Sequence, residues 1–250
     1  MALNKTIALL KRLYGEPEGP PARTPFELVI WENACYLLSD ELRLEVFESL
    51  RKSVGLSAQA ILKASDEVLL PLAKRGGMRP ETRVFRWRQI AQITMSQFSG
   101  NLDSILAKPY PEAMKALRQF PNIGDPGAGR ILLLCGMGSE LPLESNGLRV
   151  LVRIGWGRLQ RSYGATYRSV QDDLKPSLPR RAESLKEAHL LLRRHGKTLC
   201  KDKAPLCDRC PLSKACDYGA KILAGAAKVA RPSESTAKDT PAQCTQPAAG

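Results

Sequence analysis

Four cysteines near the C-terminal end have the types and spacing to do metal chemistry. Cys200, Cys207, Cys210 and Cys216 are arranged as C-x6-C-x2-C-x5-C. Four soft thiolates on one short loop can converge on a single centre, either a cubane iron–sulfur cluster or a tetrahedral zinc. Two CxxC knuckles would favour zinc. Only Cys207 and Cys210 form a CxxC, and the wider arms on either side suit a cluster. The bland alternative, free or disulfide-bonded thiols, is disfavoured where clustered cysteines occur in a chain without secretory features.

A second stretch, residues 120–138, reads FPNIGDPGAGRILLLCGMG. One helix ends there, the chain turns through Pro121, Asn122, Ile123 and Gly124, and another helix begins, with Asp125 expected as its N-cap and Pro126 at its first position. Asn122 and Gly124 tolerate the left-handed backbone that a tight turn needs. The N–H groups of such a turn, and of the helix start at Gly127, make a site for a phosphate. An ordinary helix–helix turn explains the same residues equally well. Gly124, Gly127 and Gly129 are not a dinucleotide fingerprint, because no strand precedes them. A third stretch, LESNGLRVLVRIGW at 143–156, opens polar and continues as an apolar-rich helix, with Glu144 as its sole carboxylate.

The elements that must position these groups read as helices. The chain of 250 residues, 43% of them hydrophobic, is long enough to bury a sizeable core. Residues 1–24 predict one short amphipathic helix and then a Pro/Gly linker from Gly15 to Pro21. From Pro25 the apolar residues through Leu38 follow helical spacing. Ser39-Asp40 predicts an N-cap, Gly55 a stop and Ser57 a new start. Further helices are expected at about 65–73, 81–98, 101–107, 110–119 and 185–195. No segment alternates as a strand would, so the fold class is all-α. From about residue 224 the composition turns to Ala, Pro, Ser, Thr and Gln, which predicts a disordered tail over 224–250.

Lys and Arg number 38 against 25 Asp and Glu, a surplus of +13. That balance favours a polyanionic partner, nucleic acid before membrane, although a basic surface can serve solubility alone. No apolar run approaches a membrane span and no signal peptide is legible. The expected location is the cytoplasm and nucleoid of a bacterial cell, or a nucleus otherwise.

The hairpin FPNIG-DPGAG, the segment LESNGLRV and HGKTLC opening the cysteine quartet occur in an order and separation that resembles the endonuclease III superfamily of helix–hairpin–helix DNA glycosylases with a 4Fe-4S cluster. The resemblance covers roughly residues 22–218, and Pro25-Phe26-Glu27-Leu28 looks like the start of that family's first barrel helix. It implies an all-α fold of two lobes. One is a six-helix barrel module over 24–138, with the helix–hairpin–helix at about 112–136. The other is a cluster lobe of 1–23 and 139–218, with the 4Fe-4S loop at 200–216. Double-stranded DNA would lie across the cleft, contacted by a monomer, with the target nucleotide flipped into the protein. By position, Lys201, Lys203 and Arg209 supply the basic loop beside the cluster, and Leu37 falls where a wedge fills the gap left by the flipped base. Trp31, Glu32, Tyr36 and Asn146 are expected at the base pocket, with Trp31 read rather as core.

Two departures bear on activity. The family carries an aspartate that stabilises the positive charge developing on the sugar; its counterpart here is Glu144, one methylene longer. Bifunctional members carry a lysine nucleophile two residues after the hairpin glycine; here that residue is Pro126, which has none. The resemblance therefore implies a monofunctional, water-using glycosylase. A catalytically silent DNA-structure-binding protein is the alternative, and a cluster-based redox sensor a third. Asn146 replaces the family's usual histidine, which points to a modified pyrimidine. Asp125 beside a phosphate site is unexpected. His189, His195, Cys35 and Cys135 are read as buried structural groups.

Overall fold

The computed structural model describes residues 1–35 and 39–229, and among them it contains helices and turns but no strand. Helix α1 (Leu3–Tyr14) leads into the extended Pro/Gly segment, and α2 (Pro25–Ala34) follows. Sequence explains the start of α2. The Thr24 hydroxyl accepts from the Glu27 N–H at 3.2 Å, Pro25 sits in the first turn, and the Glu27 carboxylate reaches back to the Arg23 N–H at 2.6 Å. α2 stops at Ala34, because Cys35 takes extended backbone. The predicted helical pattern through Leu38 therefore overruns the helix, and Tyr36, Leu37 and Leu38 lie outside the described residues.

Helices α3 (Asp40–Ser53) and α4 (Ala58–Lys63) begin on the hydroxyls of Ser39 and Ser57, which accept from the Leu42 and Ala60 N–H groups. α5 (Asp66–Arg75) and the long α6 (Pro80–Phe98) follow. A 3-10 turn over Leu102–Ala107 leads to α7 (Tyr110–Leu117) and, after the hairpin, to α8 (Asp125–Leu134). The remainder is α9 (Ser145–Arg153), α10 (Tyr163–Leu174), α11 (Ala182–Thr198), the cysteine loop with its two short 3-10 turns, and α12 (Asp217–Val229). The expected disordered tail is helical as far as Val229, since Ala224, Ala226 and Ala227 are strong helix formers. Residues 230–250 lie outside the described residues.

The buried apolar side chains form two clusters. One runs from Ala22 to Leu132 and is centred on Trp87, Phe47, Ile30 and Leu50. The other joins Leu3 and Leu10 of α1 to Leu133, Leu148, Val150, Leu151, Leu191, Leu192 and Cys216. Leu132 and Leu133 are chain neighbours that belong to different cores, so α8 is the element both share. The closest helix approach in the second core is between α9 and α11. At Gly196 a β-carbon would lie 2.5 Å from the backbone oxygen of Asn146, so only glycine permits it.

Candidate active-site cleft and cysteine loop

Between these two cores lies a cleft of about 570 Å³. Its walls come from α2, α3, α8, α9 and α11, and from the extended segment Glu18–Pro21. Glu144 stands at its edge as the N-cap of α9. One carboxylate oxygen accepts from the Gly147 N–H at 2.7 Å and the other from the Asn146 side-chain amide at 2.6 Å. The helix start thus holds an acidic group where the macrodipole favours negative charge. Asn146 is itself held: its side-chain oxygen accepts from Arg149 at 2.8 Å, and the same guanidinium donates to the backbone oxygens of Gly196 (2.8 Å) and Cys200 (2.9 Å). A continuous line of hydrogen bonds therefore connects the first cysteine to the Glu144 carboxylate.

Other charged groups in the cleft are paired. Glu32 of α2 takes Arg130 of α8 in a two-point ion pair, Nε to Oε1 at 3.0 Å and Nη2 to Oε2. Burial opposes the charge on Glu32, but Arg130, with Arg43 and Arg193 further off, holds its carboxyl below the ordinary range. Asp40 of α3 reaches across to α11, meeting Arg193 at 2.6 Å and Lys197 at 2.5 Å. Its burial is outweighed by these two cations, and its pKa is brought down to about 2. His189 is buried, with its Nδ1 2.7 Å from the Pro142 carbonyl oxygen. Burial, aided by Arg130, lowers it to about 4, so it is neutral at physiological pH. Trp31 lies mostly in the core, edge-on to Phe47 at 5.3 Å, while one part of it lines the cleft beneath the Arg43 guanidinium.

At the hairpin, Asn122 is left-handed (φ 61°) and its amide donates to the side-chain oxygen of buried Asn33 at 3.0 Å. Asn33 in turn donates to the Pro121 carbonyl, so the turn is tied to α2 from within. Ile123 is buried as the anchor of the turn. Gly124, not Asp125, is the N-cap of α8: its backbone is extended and its carbonyl accepts from the Ala128 N–H at 2.9 Å. Asp125 is the first helical residue and Pro126 the second. No side chain caps this helix start, so its first N–H groups at Asp125 and Gly127 stay available to a ligand. The Asp125 carboxylate meets Arg118 at 2.7 Å, which neutralises it locally.

Cys200, Cys207, Cys210 and Cys216 ring one small cavity of about 20 Å³, otherwise lined mainly by apolar groups. Among the described residues, no three His, Cys, Asp or Glu side chains are grouped as a single ion would need. The thiols nevertheless feel one another. Burial first, and then the neighbouring sulfurs, push Cys210 up to about 11 and raise Cys207 as well. Crowded, partly desolvated thiols such as those of Cys207 and Cys210 become thiolates readily only when a cationic centre sits beside them. The surroundings match that demand. The Gly219 N–H lies 3.3 Å from the sulfur of Cys216, His195 Nε2 lies 3.4 Å from Cys210, and an Arg153 nitrogen lies 3.5 Å from Cys200. Arg153 also clamps the carbonyls of Lys201 (2.6 Å) and Asp202 (3.1 Å), leaving the side chains of Lys201, Lys203 and Arg209 exposed.

The sequence-predicted residues thus fall in three places. Glu144, Asn146, Trp31 and Glu32 meet in the cleft; Asn122, Ile123, Gly124 and Gly127 form the hairpin; the cysteines and the basic residues form the loop. Tyr36 and Leu37 lie outside the described residues. Sequence reading missed Arg130, Asp40, Arg193 and Lys197. Arg130 sits on α8 six residues after the hairpin glycine Gly124, and Lys197 follows Arg193 by four positions, about one helical turn; both signals look like ordinary surface charge until the helices are docked.

The fold thus has two helical cores, a hairpin between α7 and α8, and a carboxylate in the groove between the cores. No family model matches the chain. It is similar to endonuclease III of Sulfolobus acidocaldarius, 24% identical over 72% of this chain and 76% of that one. It is also similar to thymine-DNA glycosylase of Aeropyrum pernix, 22% identical over 87% and 94%. Among solved structures, a non-covalent endonuclease III–DNA complex superposes with a TM-score of 0.73 at 18% identity, covering 89% of this chain and 97% of the other. A thermostable thymine-DNA glycosylase superposes at 0.68 and 16% identity, over 88% and 97%. The fold is therefore shared with endonuclease III and thymine-DNA glycosylase, and the curated relatives that the chain resembles are named endonuclease III and DNA glycosylases.

Proposed function

We propose that this protein is a monofunctional DNA glycosylase that hydrolyses the N-glycosidic bond of a damaged or modified base flipped into the cleft. The observation that carries this reading is the Glu144 carboxylate, held at the N-terminus of α9 by Gly147 and Asn146 and open to the cleft. Each oxygen accepts one hydrogen bond and keeps a further lone pair for substrate. As the C1′–N bond breaks, its electron pair leaves with the base, and positive charge grows on the sugar. A fixed carboxylate nearby stabilises that charge, and water completes the bond to C1′. Pro126 offers no nitrogen to attack the sugar, so no Schiff base forms there.

DNA binding divides among the three regions. The uncapped start of α8, with Asn122, Ile123 and Gly124 before it, takes a phosphate. Lys201, Lys203 and Arg209 contact the backbone from the cysteine loop. Leu37 is assigned the wedge. The four cysteines hold a 4Fe-4S cluster, a reading supported by their surrounding one cavity without converging as the ligands of a single zinc would. Bound there, the cluster supplies charge and a rigid core for the loop rather than chemistry on the base. The protein acts as a monomer. No helix among the described residues is long and apolar enough to cross a membrane.

A second reading, a DNA-structure-binding protein without catalysis, draws on the Asp125 carboxylate beside the phosphate site and on the longer Glu144. Single-turnover assays on a panel of lesion duplexes, with alkali to reveal abasic sites, separate the two. Base release that disappears in Glu144→Gln supports the enzyme. Tight binding with no release from any duplex supports the second reading. A borohydride-trapped covalent adduct would remove the monofunctional assignment.

A further inference from the structure

We propose that the Arg130–Glu32 pair is the base-selecting wall of the cleft, and that Arg130 favours a flipped base bearing a carbonyl at pyrimidine C4 or purine C6 over one bearing an amino group at that position. This rests on the glycosylase reading and deepens it to a substrate class.

The geometry narrows what the wall can offer. Arg130 spends Nε and Nη2 on Glu32. Its Nη1 has no protein acceptor among the described residues, and the side chain lines the cleft. Glu32 has both oxygens engaged by the guanidinium, which locks the plane of the fork. The side chains keep only 17% and 13% of their surface exposed, so water competes weakly for that donor. A guanidinium has donors and no acceptor. A carbonyl oxygen completes it, whereas an amino group sets donor against donor.

Charge points the same way. Glu144 stands on the cluster-lobe wall and Arg130 on the barrel-lobe wall, so the sugar meets the carboxylate while the far edge of the base meets the cation. A base with ring carbonyls leaves with negative charge spread onto those oxygens, and a fixed cation opposite stabilises it. Burial works against the charge on Arg130, but Glu32 first and Glu144 after it more than compensate, and the group stays protonated. The pair also ties α2 to α8. A purely structural tie would leave base preference untouched, and that difference is what the test reads.

The test uses the full chain and duplexes whose target nucleotide carries a 2′-fluorine, which suppresses base loss, opposite an abasic analogue. Two matched pairs, uracil against cytosine and hypoxanthine against adenine, differ at that position by keto against amino. Fluorescence anisotropy should show the keto member of each pair bound about 10-fold tighter or more, a loss typical of leaving a buried donor unmet. The double variant Glu32→Gln/Arg130→Met should bind both members equally. Both residues are changed because removing one alone leaves an unpaired buried charge. Arg130→Lys, which keeps the charge and loses the fork, should weaken the preference and serves if the double variant does not fold. Equal binding by wild type, an amino preference, or a keto preference unchanged in the variants would each overturn the proposal. The readout needs no catalysis. Absence of base release on the lesion panel therefore counts against the glycosylase reading, while release without a keto preference counts against this inference alone.

Discussion

The four cysteines fall between residues 200 and 216, whereas the cleft draws its walls from residues as far apart as Glu18 and Lys197. The loop is fastened mainly through backbone: Arg149 and Arg153 of α9 grip the carbonyls of Cys200, Lys201 and Asp202. The cleft is fastened through side chains of opposite charge carried by different helices. A site closed by local chain tolerates sequence change around it, while a site closed by docked helices depends on every contact that sets their separation. The two are nevertheless joined, because Arg149 touches both Cys200 and Asn146.

The sharpest way to break the contrast is at the loop. On the proposed cluster assignment Cys210→Ser removes one of four ligands, and the purified protein should lose most of its iron and melt at least ~10 °C lower, since a structural metal centre carries folding energy outright. A variant with full iron content and an unchanged melting temperature would remove the assignment of Cys210. In the cleft, Glu144→Gln keeps the N-cap acceptor and removes the charge, so single-turnover base release should fall ~10²–10³-fold with the melting temperature nearly unchanged. Gly196→Ala acts on the joint between the two regions. Its methyl group would press on the Asn146 backbone and force α9 from α11, which should cost ~3 kcal/mol in denaturant unfolding and slow base release as well. Asn146→Ala frees one oxygen of Glu144 from its partner, and release should slow by ~10-fold while substrate affinity holds.

The smallest effect concerns acid. Asp40 has its pKa near 2 in the folded state, below the ordinary 3.8. The unfolded chain binds the proton first, so the stability Asp40 supplies is present above pH ~4 and lost as pH falls toward ~2. Half-exposed pairs are screened, and the loss should be ~1 kcal/mol. Asp40→Asn should flatten that part of a stability–pH curve. His189 acts in a higher window: its folded pKa of about 4 lies below the ordinary 6.5, so stability drops as pH falls between those values, and His189→Gln should lessen that slope, with His195 keeping its own share.

How much was legible follows the same division. The cysteine quartet, the hairpin and the helix starts at Thr24, Ser39 and Ser57 are local patterns, and side-chain types at fixed spacing announce them. The start of α8 falls one residue before the predicted one, because the Gly124 backbone can take the extended cap conformation as readily as the side chain of Asp125 could cap. Arg130, Asp40, Arg193 and Lys197 could not be found that way. Each is an unremarkable charge on a helix, and its meaning arises only when a residue up to 157 positions distant is packed against it. The Pro/Gly stretch was legible as a connector but not as a wall.

That connector has a consequence for tolerance to change. Surface connections ordinarily accept extra residues at little cost. Glu18, Gly19, Pro20 and Pro21 border the cleft, so the strap between α1 and α2 is part of the groove's wall as well as a connection. Lengthening it by a few residues would leave both cores packed and reshape that edge of the cleft, so under the proposed function the choice of substrate would depend in part on the length of a connecting thread.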